Sequence, residues 1–128
     1  MAVNMDMKIL IVDDFKTMLK VIENLLKQLG FKNIDEATDG VKALEKMKEK
    51  KYDLVLSDWN MEPITGLDLL KSIRANPDLK ATPVVLITAE SKAENVIAAK
   101  QAGVNNYIVK PFNAVTLKEK LVTVLGNF

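Results

Sequence analysis

Three aspartates, a threonine and a lysine stand at or just after the ends of short apolar runs in this sequence. Groups of that kind, gathered at one place, could accept a phosphoryl group beside a magnesium ion. Asp13 and Asp14 follow Ile9-Leu10-Ile11-Val12; Ser57, Asp58, Trp59 and Asn60 follow Leu54-Val55-Leu56. Thr88 follows Val84-Val85-Leu86-Ile87, and Lys110 with Pro111 follows Tyr107-Ile108-Val109. If the runs carrying Asp13 and Asp58 are neighbouring strands, about 4.8 Å apart, their carboxylates converge and repel. Carboxylates in such a cluster stay ionised when a cation neutralises them, and all-oxygen ligation favours Mg²⁺. A carboxylate beside Mg²⁺ can act as nucleophile toward phosphorus, giving an acyl phosphate. Lys110 then serves as a point charge for the phosphoryl oxygens and Thr88 as a hydrogen-bond donor. No histidine or cysteine offers a competing nucleophilic arrangement. The donor must be external, because the chain has 5 glycines and no glycine-rich phosphate loop.

Each residue taken singly has a plainer reading. Asp13 or Asp14 could cap a helix beginning near Phe15, Thr88 could be another cap, and Lys110 a solvated strand end. What favours chemistry is their common position at strand ends. Continuous apolar runs suit strands buried on both faces, as in a parallel sheet covered by helices, and the segment 33–37 reads as a weaker edge strand. Between the runs the period becomes helical: Met18, Ile22, Leu25, Leu26 and Leu29 form one stripe that Gly30 ends. Further helices are expected near 41–49, 67–75, 92–102 and 115–125, with Gly103 and Gly126 closing the last two. Five strand-then-helix units describe a three-layer α/β sandwich with right-handed crossovers. In such a sheet ligands bind beyond the carboxyl ends of the strands, where these polar residues fall.

The 128 residues, 48% of them hydrophobic, suit one domain over 1–128 with a flexible N-terminus at 1–7. Basic and acidic residues nearly cancel, 18 against 17, so no overall field draws the chain to nucleic acid or anionic lipid. The run Lys46-Met47-Lys48-Glu49-Lys50-Lys51 reads as the solvated end of a surface helix. No apolar run approaches the roughly 18 residues of a membrane span, and residues 1–8 do not resemble a signal peptide. A soluble cytoplasmic protein is expected, a monomer without disulfides.

With these residues in place the sequence resembles the response-regulator receiver domains of two-component signalling, along nearly its whole length. The landmarks are Asp13-Asp14, Asp58, Thr88, Tyr107 and Lys110-Pro111. Within that family it is similar to chemotaxis response regulators, on Asp13-Asp14-Phe15, Ser57-Asp58-Trp59-Asn60-Met61, Thr88-Ala89-Glu90 and Val109-Lys110-Pro111-Phe112. The resemblance implies a flavodoxin-like sheet of order 2-1-3-4-5 with five helices, an order for which a receiver of this kind is itself a standard example. It also implies phosphorylation of Asp58 by a sensor histidine kinase. Mg²⁺ would be held by Asp13, directly or through water, Asp14, Asp58 and the backbone carbonyl of Asn60. Lys110 would contact the phosphoryl group, and the peptide before Pro111 would be cis. Thr88 would move toward the phosphoryl oxygens as Tyr107 turns inward, while Asn60 and Glu90 would tune hydrolysis. Trp59, beside Asp58, would report on the site by fluorescence. The implied partners are a chemotaxis kinase, a flagellar motor switch protein and a phosphatase, met through the fourth helix, fifth strand and fifth helix. With no effector domain in view, output is expected through protein binding.

Two departures from the family pattern are visible. Met61-Glu62-Pro63 stands where Met-Pro is usual, adding a carboxylate near the site, and Lys100 occupies a position where a small residue is usual. A receiver of a non-chemotaxis phosphorelay is the alternative within the family, and two other functional classes remain: a magnesium-dependent phosphatase with an aspartyl-phosphate intermediate, and a flavodoxin-like binder of flavin or nucleotide. The phosphatase would ordinarily carry an aspartate at position 60, which is Asn60 here. The flavodoxin-like binder would place an anion among carboxylates.

Overall fold

In each strand of the sheet, alternate side chains serve opposite layers of helices, so a run with no polar residue still has two distinct faces. The computed structural model describes residues 4–89, 92–126 and 128. Its strands are β1 (Lys8–Val12), β2 (Asn33–Ala37), β3 (Leu54–Asp58), β4 (Val84–Thr88) and β5 (Asn106–Val109). The helices are α1 (Lys16–Gln28), α2 (Gly40–Glu49), α3 (Gly66–Ala75), α4 (Ala93–Gln101) and α5 (Ala114–Leu125). All pairings are parallel, in the order β2-β1-β3-β4-β5. The expected sheet order, strand count and helix count are all present.

Ile9 and Ile11 of β1, Leu54 and Leu56 of β3, Val85 and Ile87 of β4 and Ile108 of β5 point to α1 and α5. There they pack on Leu19, Ile22, Leu26, Leu117 and Leu121. Leu10, Val12, Val55, Val84 and Leu86 point the other way, onto Ala43 and Met47 of α2 and Leu69, Leu70 and Ile73 of α3. Every residue of β3 and β4 is buried, whereas β2 buries only Ala37, as an edge strand should. That edge is fastened by side chains: the Tyr52 hydroxyl donates to Asp35 Oδ2 at 2.6 Å and Lys50 Nζ donates to the same oxygen at 2.9 Å.

Helix starts follow local chemistry. Asp39 accepts from the Lys42 N–H at the head of α2, Thr65 and Asp68 form a capping box on α3, and Asn113 caps α5. Met5 and Met7 pack against the α1/α5 core; of the flexible segment expected at 1–7, residues 1–3 lie outside the described residues. Asp58 and Thr88 close their strands from within rather than following them, since pairing continues through Asp58↔Ile87 and Thr88↔Val109. Away from the carboxyl edge, Arg74 at the end of α3 binds two loops at once. It donates to the carbonyls of Lys80, Thr82 and Gly103 and to Asn105 Oδ1, at 3.0, 2.6, 3.0 and 2.8 Å. Gly103 takes φ +90°, a turn conformation that L side chains rarely adopt.

Candidate functional site

Chain direction reverses its progress across the sheet at β1: β2 lies on one side and β3 on the other. A crevice opens at such a switch point, above the carboxyl ends of the strands. Asp13 leaves β1 there, Asp58 ends β3, and Lys110 leaves β5 after its N–H has bonded the Thr88 carbonyl at 2.7 Å. Carboxylate oxygens of Asp13, Asp14 and Asp58 all lie within 4.8 Å of one another. Lys110 Nζ reaches across from β5 to Asp58 Oδ1 at 2.9 Å and stands 4.0 Å from Asp13 Oδ2.

The three acids differ in environment. Asp14 is exposed, while Asp13 and Asp58 are 1% and 5% exposed. Asp13 Oδ1 accepts the Phe15 N–H at 2.9 Å, so the cap-like reading of this residue accounts for one of its oxygens. Oδ2 is buried without a hydrogen-bond partner. Burial, chiefly, pushes the Asp13 carboxyl up to about 6; the Phe15 N–H opposes this, the Asp58 charge adds to it, Lys110 opposes and Asp14 adds a little. A buried carboxylate oxygen with no donor, facing two further carboxylates, is the arrangement a hard cation completes. The donor set therefore fits Mg²⁺.

The loop after Asp58 is held from below. Trp59 N–H bonds the Ile87 carbonyl and Gly66 N–H bonds the Trp59 carbonyl, both at 2.8 Å. A Cβ on Gly66 would overlap the Asp58 carbonyl oxygen, so only glycine lets α3 start this close to the nucleophile candidate. Sequence reading did not single out Gly66. The signal was there, a glycine just inside a helix start eight positions after Asp58, but its partner is backbone and carries no pattern. Ser57 is buried with its hydroxyl donating to the Asp58 carbonyl at 3.0 Å. Beyond it, Asp14, Asn60, Met61, Glu62 and Thr65 line an open hollow of about 330 Å³. Both Glu62-Pro63 and Lys110-Pro111 are cis; the second was expected, the first was not.

Thr88 is 6% exposed at the end of β4. Tyr107 lies further down β5, paired with Leu86, half-buried against the α2/α3 core with Lys120 Nζ 5.2 Å over its ring. It is thus outside the acid cluster, on a different part of the surface. Trp59 is half-buried and Asn60 exposed; Lys100 is exposed in the last turn of α4. Glu90 lies outside the described residues. A larger concavity of about 760 Å³, at the opposite edge between Met47, Tyr52, Leu79 and Pro83, contains no comparable cluster of carboxylates.

Sheet order and acidic switch point together define a flavodoxin-like domain with an acidic pocket at the carboxyl edge of its sheet. A family model, the response regulator receiver domain, matches residues 9–122. Chemotaxis protein CheY-3 of Vibrio cholerae is 59% identical over 118 residues, covering 92% of this chain and 91% of the relative. Chemotaxis protein CheY of Pseudomonas aeruginosa is 54% identical over 115 residues, 90% and 93% of the two chains. Among solved structures, Vibrio cholerae CheY4 superposes with a TM-score of 0.87 at 33% identity, covering 94% of this chain and 99% of that one. The receiver domain of a Pseudomonas aeruginosa sensor histidine kinase, solved with a magnesium ion coordinated in its active-site cleft, gives 0.84 at 29% identity over 95% and 99%. The chain belongs to the response regulator receiver domain family and is CheY-like within it. No described helix is long and apolar enough to cross a membrane.

Proposed function

We propose that this receiver accepts a phosphoryl group on Asp58 and that phosphorylation changes the surface it offers to a partner. The observation that carries the reading is the meeting of Asp58 and Lys110 at 2.9 Å beside Asp13 and Asp14. An Asp58 carboxylate oxygen forms the new bond to phosphorus as the bond to the donor's leaving group breaks, the electron pair departing with that group. Lys110, released from Asp58, neutralises a phosphoryl oxygen, and the Thr88 hydroxyl donates to another. Asp13, Asp14, Asp58 and the Asn60 carbonyl would hold Mg²⁺, which when bound supplies positive charge to the oxygens of the transferring group. Asn60 and Glu90 set how readily water reaches the acyl phosphate.

The donor is a sensor histidine kinase, and the CheY relatives support a place in chemotaxis; the target is a flagellar motor switch protein, as the family resemblance implies. The reader surface is α4, β5 and α5, where Tyr107 sits and where Thr88 and Lys110 abut. Reversing a 99:1 preference between inactive and active states takes about 5.5 kcal/mol. New charge-assisted hydrogen bonds from Thr88 and Lys110 supply much of it. A phosphatase would reset the switch, and the protein acts as a cytoplasmic monomer. Incubation with acetyl phosphate and Mg²⁺ is expected to add one phosphoryl mass to the wild type and none to Asp58→Asn. An adduct surviving that substitution would place the acceptor elsewhere.

A further inference from the structure

The β3–α3 loop is anchored on both sides of Glu62. Met61 is buried, with its Sδ 4.0 Å from the Ser57 hydroxyl, and Ile64 packs on the α2/α3 core. Glu62 between them is exposed and lines the hollow of Asp14, Asn60 and Thr65 that adjoins the acidic cluster. Among the described residues Glu62 makes no ion pair with a lysine or arginine, whereas Lys110 is engaged by Asp58 and Asp13. The mouth of the pocket therefore presents two exposed carboxylates, Asp14 and Glu62, to anything that enters. The buried Asp13 Oδ2, which accepts no hydrogen bond and has Lys110 Nζ only at 4.0 Å, marks the interior as a cation's place, so that mouth draws cations in and repels anions.

We propose that Glu62 is a specificity-determining residue that discriminates among small phosphoryl donors by their charge and raises the local concentration of the divalent cation. This rests on phosphoryl acceptance at Asp58. Acetyl phosphate arrives as a dianion near neutral pH; its P–O bond breaks as Asp58 bonds phosphorus, and acetate leaves with the electron pair. Phosphoramidate arrives as a zwitterion of lower net negative charge; its P–N bond breaks and ammonia leaves, already fully protonated. Glu62 penalises the first donor more than the second.

Two measurements on Glu62→Gln and Glu62→Lys test this. Calorimetric titration with Mg²⁺ at low salt should show the dissociation constant rising about threefold in Glu62→Gln, and the difference should shrink as salt screens it. At saturating Mg²⁺, the ratio of phosphorylation rates with acetyl phosphate and phosphoramidate, followed by intact mass, should rise about threefold in Glu62→Gln and further in Glu62→Lys. Adduct formation at Asp58 with an unchanged ratio, or with both rates falling together, overturns the role of Glu62 and leaves the acceptor reading standing. No adduct at Asp58 with either donor overturns both.

Discussion

Helices α3 and α4 cover the same face of the sheet, yet they are held very differently. α3 opens on a capping box and buries Gly66, Leu69, Leu70 and Ile73. α4 has no side-chain cap bond at its start and buries only Ala99 among its described residues, with Ile97 left 54% exposed. A helix with little buried apolar surface opens or shifts at lower free-energy cost than one with much. The helix behind Asp58 is thus the fixed one, and the helix next to Thr88 and β5 is the one free to respond. A switch of the kind proposed above needs both: an acceptor that stays in place and a surface that does not.

The contrast can be broken most directly in the core. Leu69→Ala should cost about 2–5 kcal/mol in urea unfolding, while Ile97→Ala should stay within about 0.5 kcal/mol. Similar losses at the two positions would erase the distinction. Capping gives a smaller and more local probe. Thr65→Ala should remove about 1 kcal/mol, and Lys92→Ser, which offers α4 the missing cap, should add about 0.5 kcal/mol and slow amide exchange in that helix. Slower exchange in α3 instead would mean the looser helix had been misplaced.

A third probe separates the site from both helices. In the metal-free protein the Asp13 carboxyl is raised by burial from 3.8 to about 6, so the native state keeps a proton that the unfolded chain has lost. Stability from this group is therefore fully present below about pH 4 and is lost as pH rises through about 6, the native state binding more protons than the unfolded one in that window. Asp13→Asn should flatten the trend in urea midpoints. Saturating Mg²⁺ should oppose it, because the cation binds the deprotonated acid that appears as pH rises.

Burial on two faces made the inner strands legible. Ile9 to Val12 and Val84 to Ile87 have no polar interruption, and runs this short and continuous suit strands of a covered parallel sheet. The edge strand β2 was faint because Asn33, Ile34, Asp35 and Glu36 are not fully buried and only Ala37 reaches the core. α4 was found from the glycine that ends it, since Ala99 alone gives no apolar stripe. Within the site, Asp13, Asp14, Asp58 and Lys110 could be singled out because charged side chains at strand ends are conspicuous. Their convergence is a matter of strand order, which the sequence carried only through its resemblance to other receivers. Gly66 under the Asp58 carbonyl, the Tyr52 hydroxyl on Asp35 and the four bonds of Arg74 left no comparable trace. They depend on backbone acceptors, or on partners 17 to 31 positions away, with no periodic spacing to announce them.

Those bonds of Arg74 bear on how the protein could be re-engineered. One guanidinium serves acceptors in the stretch after α3 and in the turn after α4. The two loops consequently form a single mechanical unit, and a peptide inserted into either would strip partners from both. Grafting a tag or sensor module at that edge means redesigning the pair together, with a second cation to share the acceptors that Arg74 now serves.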